Sequence, residues 1–248
     1  MAQEMPKVQV KNLTKKFGDL LVLDNISFDV PKGEFLCIVG PTGCGKTTFL
    51  NSLTKLYKPT AGEILLDGEP VDLKKHNVAY IFQEYSTMPW LTVEENVGFG
   101  LDIKGVEKTK AKALVDEYLD IVGLTKYRHY YPDQLSASML QRVVIARAFA
   151  TQPDLLLMDE PYGQLDIQLR YHLEDELISL WQRTGTTVIF ITHNIEEAVY
   201  MGQRIMVLTN KPTSIKDEIP VNLPHPRDVA AADFVALRNR VTEEIKWW

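Results

Sequence analysis

The stretch Phe35-Leu36-Cys37-Ile38-Val39-Gly40-Pro41-Thr42-Gly43-Cys44-Gly45-Lys46-Thr47 decides the fold. It opens as a continuous apolar run, as in a strand buried on both faces. From Gly40 it fits G-x-x-x-x-G-K-[ST], and Phe49, Leu50, Leu53 and Leu56 then recur at helical spacing. In a strand–loop–helix order of this kind, glycines let successive backbone N–H groups turn into one concavity that binds phosphate oxygens. The helix starting near Lys46 adds its positive N-terminal end. Lys46 supplies a mobile cation to the β- and γ-phosphates, and the Thr47 hydroxyl is placed to ligate Mg²⁺. The expected ligand is a nucleoside triphosphate with Mg²⁺. Its expected contacts are Gly40, Pro41, Thr42, Gly43, Cys44, Gly45, Lys46, Thr47 and Thr48.

Outward from this loop, strand-like runs lie at Val78–Phe82, Leu155–Asp159, Thr187–Thr192 and Ile205–Leu208. Helical patterns fall at Val93–Ile103, Lys108–Val122, Ser136–Thr151 and Leu169–Arg183. The opening third is β-rich, with Val8-Gln9-Val10 alternating and Leu20–Val30 forming a broken apolar run. Strands alternating with helices imply an α/β protein with a mostly parallel sheet covered on both faces. Residues 86–153 carry helices and no convincing strand, so they are expected to be a helical subdomain inserted into the sheet domain. The nucleotide-binding core is then 1–85 with 154–222, followed by a C-terminal extension over 223–248.

The 248 residues are 45% hydrophobic and 24% charged, which excludes a disordered, collagen-like or disulfide-scaffold chain. No apolar run approaches the 18 or so residues of a membrane span, and no secretory signal is visible at the N-terminus. Cys37 and Cys44 are too few for a disulfide framework and suit a reducing compartment. A net charge of −6 with scattered Lys and Arg argues against a nucleic-acid surface. The expectation is a soluble, intracellular protein with no nucleic-acid partner.

Leu155-Leu156-Leu157-Met158-Asp159-Glu160 ends an apolar strand on two carboxylates. Such a strand holds a carboxylate rigidly at the end of the sheet where ligands bind. Asp159 is expected to hold Mg²⁺ and Glu160 to polarise the attacking water. Alone, Asp-Glu after a strand reads as a helix cap; beside a phosphate loop the catalytic reading prevails. His193 closes the run Val188–Thr192 and is placed to hydrogen-bond a γ-phosphate. The other histidines read as structural or surface residues. Gln83, after Val78–Phe82, is placed to reach Mg²⁺ or the attacking water through its amide.

Taken in chain order, these residues resemble the ATPase subunit of an ABC transporter, over essentially the whole chain. Gly40–Thr47 matches that family's Walker A motif and Gln83 its Q-loop. Leu155–Glu160 matches its Walker B motif with the catalytic glutamate, and His193 its switch histidine. Gly163-Gln164-Leu165-Asp166 resembles the D-loop, and Phe17 the aromatic residue that stacks on adenine. The resemblance implies a P-loop NTPase fold, with a RecA-like core, an antiparallel β-subdomain and the inserted helical subdomain. It implies ATP and Mg²⁺ as ligands, and two such subunits, expected to be identical, sandwiching two ATP molecules head to tail. It also implies a transmembrane permease partner, indirectly a solute-binding protein, and a peripheral place on the cytoplasmic face of the inner membrane. The strings Met88–Val97, Glu160–Gly163, Phe190–Ala198 and Leu223–Arg227 are similar to the nitrate, sulfonate and taurine importer branch. They do not identify the solute.

One departure stands out. The family's signature is Leu-Ser-Gly-Gly-Gln, and the matching residues are Leu135-Ser136-Ala137-Ser138-Met139. Ser136 is kept and suits a helix N-cap, but both glycines are replaced. Two readings stay open: Cβ atoms at Ala137 and Ser138 crowd the partner's γ-phosphate, or helix-start N–H groups serve it unimpeded. The first leads to a rival function, a degenerate regulatory ATPase with weak hydrolysis. A soluble P-loop kinase is a further rival, but it leaves the signature-like helix and His193 without a role.

Overall fold

The computed structural model describes residues 5–163 and 167–245. In chain order these form β1 (Val8–Phe17), β2 (Leu20–Val30), β3 (Phe35–Val39), α1 (Lys46–Leu53), β4 (Ala61–Leu66), β5 (Glu69–Pro70) and β6 (Val78–Ile81). There follow α2 (Val93–Ile103), α3 (Lys108–Ile121), α4 (Ala137–Ala150), β7 (Leu155–Asp159) and α5 (Ile167–Thr184). The chain continues through β8 (Thr187–Thr192), α6 (Ile195–Met201), β9 (Arg204–Leu208), β10 (Ile215–Pro220) and α7 (Ala232–Ile245). Two compact units divide it: Met1–His76 with Thr187–Trp248, and Asn77–Thr186. Residues 86–153 lie within the second, which also contains β6, β7 and α5.

In the first unit β3 is buried at every position and lies between parallel neighbours, with Val39 opposite Thr192 of β8 and Val207 of β9. Strands covered on both faces need no alternation, which is why β3 and β8 read as unbroken apolar runs. β10 pairs antiparallel with β9. The unit's other sheet is antiparallel, ordered β2-β1-β4-β5. Val8 of β1 faces Val30 on one side and Leu66 on the other. Apolar patterning predicts no strand at β4, β5 or β10. The dipeptide Asp67-Gly68 is the missed signal for the first two. Both residues have positive φ, +50° and +78°, the two-residue hairpin geometry that Asp-Gly favours. Likewise α7 announces itself through Phe234 and Val241, both buried at helical spacing.

In the second unit β6 and β7 run parallel, with Ile81 opposite Met158. α2, α3 and α4 pack on one another and bury Val97, Leu101, Leu119 and Phe149. α2 starts on a capping box: Glu95 N–H donates to Thr92 Oγ1 at 3.3 Å, and Thr92 N–H donates to Glu95 Oε2 at 2.7 Å. The connection from β6 to α2 is irregular but fastened at two points. Arg147 of α4 donates to the Ser86 carbonyl and hydroxyl, both at 2.7 Å. Asn96 of α2, fully buried, accepts from Met88 N–H at 2.8 Å and donates to the carbonyls of Met88 and Leu91 at 3.1 and 2.9 Å. Removing that amide strands backbone groups whose desolvation costs about 1–3 kcal/mol each. Asn96→Ala is therefore expected to lower unfolding free energy by about 3 kcal/mol in urea titration. A change within about 0.5 kcal/mol, typical of surface positions, would contradict this account of the connection.

Candidate functional site

The first unit contributes a phosphate loop. β3 delivers the chain into Gly40, and the loop turns through Gly43 and Gly45 at φ +76° and +120°, backbone that a residue with a Cβ rarely adopts. A Cβ on Gly45 would also stand 2.9 Å from Val22 Cγ1. Gly45 caps α1 without a side chain, so the helix opens on backbone N–H groups and its positive dipole end. Lys46 is buried, and its Nζ donates to the carbonyls of Gly40 and Pro41 at 2.9 and 3.1 Å. Those bonds fold the ammonium over the loop. Thr47 follows, exposed on the first turn of α1, and Thr48 is half-buried. Burial pushes the Cys44 thiol up in pKa, against the pull of the Lys46 charge, so Cys44 packs as a neutral thiol. The Thr213 hydroxyl donates to the Cys44 carbonyl and braces the loop from β10's side of the chain.

His193 belongs to the same unit. Because Thr192 lies opposite Val39 in the parallel pair, His193 leaves its strand beside Gly40. Its backbone is held from both sides. Thr192 Oγ1 donates to Glu197 Oε2 at 2.5 Å and accepts from Asn194 N–H at 2.9 Å, while Asn194 caps α6 by accepting from Glu196 N–H at 2.9 Å. Phe17 ends β1, 43% exposed, with its ring edge-on to Tyr57 at 5.3 Å and Lys15 Nζ 4.7 Å from its centroid.

The second unit holds the two carboxylates. Asp159, 6% exposed, ends β7, and Tyr80 Oη donates to its Oδ2 at 3.4 Å. Burial and the neighbouring carboxylate push the Tyr80 phenol far up in pKa, so it remains a donor at neutral pH. Glu160 sits at φ +48°, left-handed backbone that costs a non-glycine residue about 1 kcal/mol. The same conformation occurs at Asn12, Asn25, Lys55, Asp67 and Gln152, so what singles out Glu160 is its place directly after the buried strand β7. Gln83 is exposed and follows β6, whose Ile81 lies opposite Met158, so Gln83 and both carboxylates leave the same end of the pair. Ser136 caps α4 by accepting from Met139 N–H at 3.4 Å, and its Oγ lies 3.0 Å from Ser138 Oγ. Asp166, the expected D-loop contact, lies outside the described residues.

Tyr80, Thr213 and Asn194 escape the sequence reading, and Ser138 enters it only as a replaced signature glycine, without its contact to Ser136. The first two act across 79 and 169 positions, a separation that carries no local pattern. Asn194 with Glu197 was detectable as a cap three residues before an acid. Among the described residues no three His, Cys, Asp or Glu side chains group as a metal site, and no helix is long and apolar enough to cross a membrane.

Residues 23–163 match the ABC transporter family. An ATP-binding protein of Brucella abortus is 44% identical over 95% of this chain and 92% of its own length. The aliphatic sulfonates import ATP-binding protein SsuB of Bacillus cereus is 40% identical over 96% of this chain and 93% of its own. Among solved structures, an ATP-binding cassette captured as a dimer in a post-hydrolysis state with ADP and Pi superposes with a TM-score of 0.76 at 32% identity. The superposition covers 88% of this chain and all of that one.

Proposed function

Because this chain belongs to the ABC transporter family and is one of its ATP-hydrolysing cassettes, with a P-loop NTPase core, we propose that it drives import of a small anionic solute. In this reading the Gly40–Thr48 loop and Lys46 bind the phosphates of ATP, and Phe17 stacks on adenine. Glu160 takes the proton of the attacking water, and His193 hydrogen-bonds the γ-phosphate. Thr47 and Asp159 offer the hard oxygen donors that Mg²⁺ prefers, few in number because substrate phosphates complete its shell. Mg²⁺ held there would supply charge neutralisation at the phosphates, and the Gln83 amide would reach the ion or the attacking water. Ser136 and Asp166 of a second, identical copy complete each site. The observation that carries the reading is the glycine loop with Lys46 bonded to its carbonyls.

The membrane contact falls on Tyr85–Leu91. A groove of about 380 Å³ lined by Phe82, Met88, Phe99 and Ile103 supports this, as does Trp90, 72% exposed. An exposed aromatic two residues from Met88 of the groove suits burial by a permease helix; in this reading the cassette sits peripherally on the cytoplasmic face of the inner membrane. The similarity to SsuB favours an aliphatic sulfonate or comparable anion, delivered by a solute-binding protein. The test is twofold: MgATP hydrolysis by the purified chain, and growth of a deletion strain on sulfonate, taurine or nitrate. Hydrolysis together with loss of growth on one anion supports the proposal. Hydrolysis with unimpaired growth on all three overturns the importer reading, and no hydrolysis overturns the catalytic one. Trp90→Ala is expected to weaken co-purification with the permease roughly 30-fold, as loss of a hot-spot aromatic does. ATP affinity should stay unchanged; permease binding undiminished by Trp90→Ala would remove Tyr85–Leu91 from the interface.

A further inference from the structure

The departure from the family's signature places a hydroxyl where that signature has a glycine. The hydroxyl is engaged: Ser138 Oγ lies 3.0 Å from Ser136 Oγ. Ser136 occupies the extended N-cap position of α4, at φ −71° and ψ 162°, which turns its side chain back over the first turn. There its Oγ accepts from Met139 N–H, at a long 3.4 Å. A serine hydroxyl has one proton and two lone pairs. Either hydroxyl of the pair can be the donor; with Met139 N–H on one lone pair, a Ser138 hydroxyl that donates to the other fills both acceptor positions. The remaining proton of Ser136 is then its only outward interaction. A donor already accepting a hydrogen bond is polarised and donates more strongly, most of all to a charged oxygen.

We propose that Ser138 is a positioning residue for Ser136, donating to Ser136 Oγ so that this hydroxyl points its proton at the γ-phosphate bound by a second copy of the chain. The inference rests on the two-subunit site described above. It chooses between the two readings of the signature: the side chain at 138 assists the phosphate contact rather than crowding it. Glycine at this position would remove the relay together with the bulk. Alanine removes only the hydroxyl and keeps the Cβ, so the two substitutions separate the ideas.

Four proteins decide the matter: wild type, Ser138→Ala, Ser138→Gly and Ser138→Thr, each also combined with Glu160→Gln. Losing one such hydrogen bond is expected to lower kcat by about 3- to 10-fold in Ser138→Ala, with KM for ATP unchanged. The ATP-dependent dimer of the Glu160→Gln background should weaken by a similar factor, measured by analytical ultracentrifugation. Ser138→Gly should fall at least as far, Ser138→Thr should recover most of the loss, and all four should unfold at similar temperatures. The Thr recovery and the kcat–KM split are effects that a purely structural role would not produce. A Ser138→Ala protein indistinguishable from wild type overturns the inference alone, and so does a Ser138→Gly protein that turns over faster. A Glu160→Gln protein that stays monomeric with MgATP overturns the two-subunit reading and the inference with it.

Discussion

Glu160→Gln is expected to abolish ATP hydrolysis while leaving ATP bound. The amide matches the carboxylate in shape but accepts no proton from water, and loss of a general base costs on the order of 10²–10⁴ in rate. Nucleotide affinity, supplied by the loop and Lys46, should change less than about 2-fold, within the error of additivity between separate groups. With turnover stopped, ATP should hold two copies together, giving a dimer in size-exclusion chromatography that dissociates when nucleotide is removed. The backbone supplies an independent check. Glu160 lies at φ +48°, where glycine has no penalty and other residues pay about 1 kcal/mol. Glu160→Gly should therefore be equally inactive yet as stable as wild type or up to about 1 kcal/mol more stable. An inactive, stabilised glycine variant would mean that strain is maintained for the carboxylate's sake. Hydrolysis by Glu160→Gln within about tenfold of wild type, below the loss expected of a general base, would instead move the base elsewhere.

Why so much of this site is legible in the sequence follows from the kind of signal each part leaves. β3, β7 and β8 are buried on every residue, so their apolar runs end where the strands end, at Val39, Asp159 and Thr192. The residues that follow are the candidates: Gly40 and His193 in the first unit and Glu160 in the second. Parallel pairing aligns those ends within each unit without further instruction from the sequence. α2 is equally legible because its capping box and its apolar spacing agree. By contrast, β10 pairs with β9 through backbone and an Arg204–Glu218 ion pair, and its residues Ile215–Pro220 mix polar and apolar side chains that are mostly half-buried or exposed. Nothing in their order separates them from a loop. The supports of the site are hidden for a different reason. The Tyr80 hydroxyl meets Asp159, and Thr213 meets the Cys44 carbonyl, only because the fold brings distant segments together. Local periodicity holds no record of such pairs. The Ser136–Ser138 bond spans two residues, yet its importance shows only against a signature that has glycine there.

Lys46→Ala is expected to have the second large effect, and it separates binding from folding. Two opposing consequences have to be weighed. The ammonium is buried and donates to the Gly40 and Pro41 carbonyls. Removing it leaves those carbonyls short of donors, which costs about 1–3 kcal/mol. It also spares the fold the desolvation of a charge, a penalty of several kcal/mol that neutral carbonyl partners offset only in part. These terms oppose each other, so the unliganded protein should unfold within about 1 kcal/mol of wild type. Nucleotide binding has no such cancellation, because phosphate charge loses its closest cation. A charge-assisted contact of about 1.5–3 kcal/mol predicts affinity roughly 10- to 100-fold weaker. The two effects appear in one measurement, thermal unfolding with and without MgATP. At a concentration 100 times the wild-type Kd, bound nucleotide stabilises the fold by about 2.7 kcal/mol. A 100-fold weaker site at that concentration gives only about 0.4 kcal/mol. A 10-fold weaker site gives about 1.4 kcal/mol, so the variant should resemble wild type without nucleotide and gain at most about half as much from it. If Lys46→Ala is stabilised by ATP as strongly as wild type, the lysine does not hold the phosphates, and its place in the loop is structural.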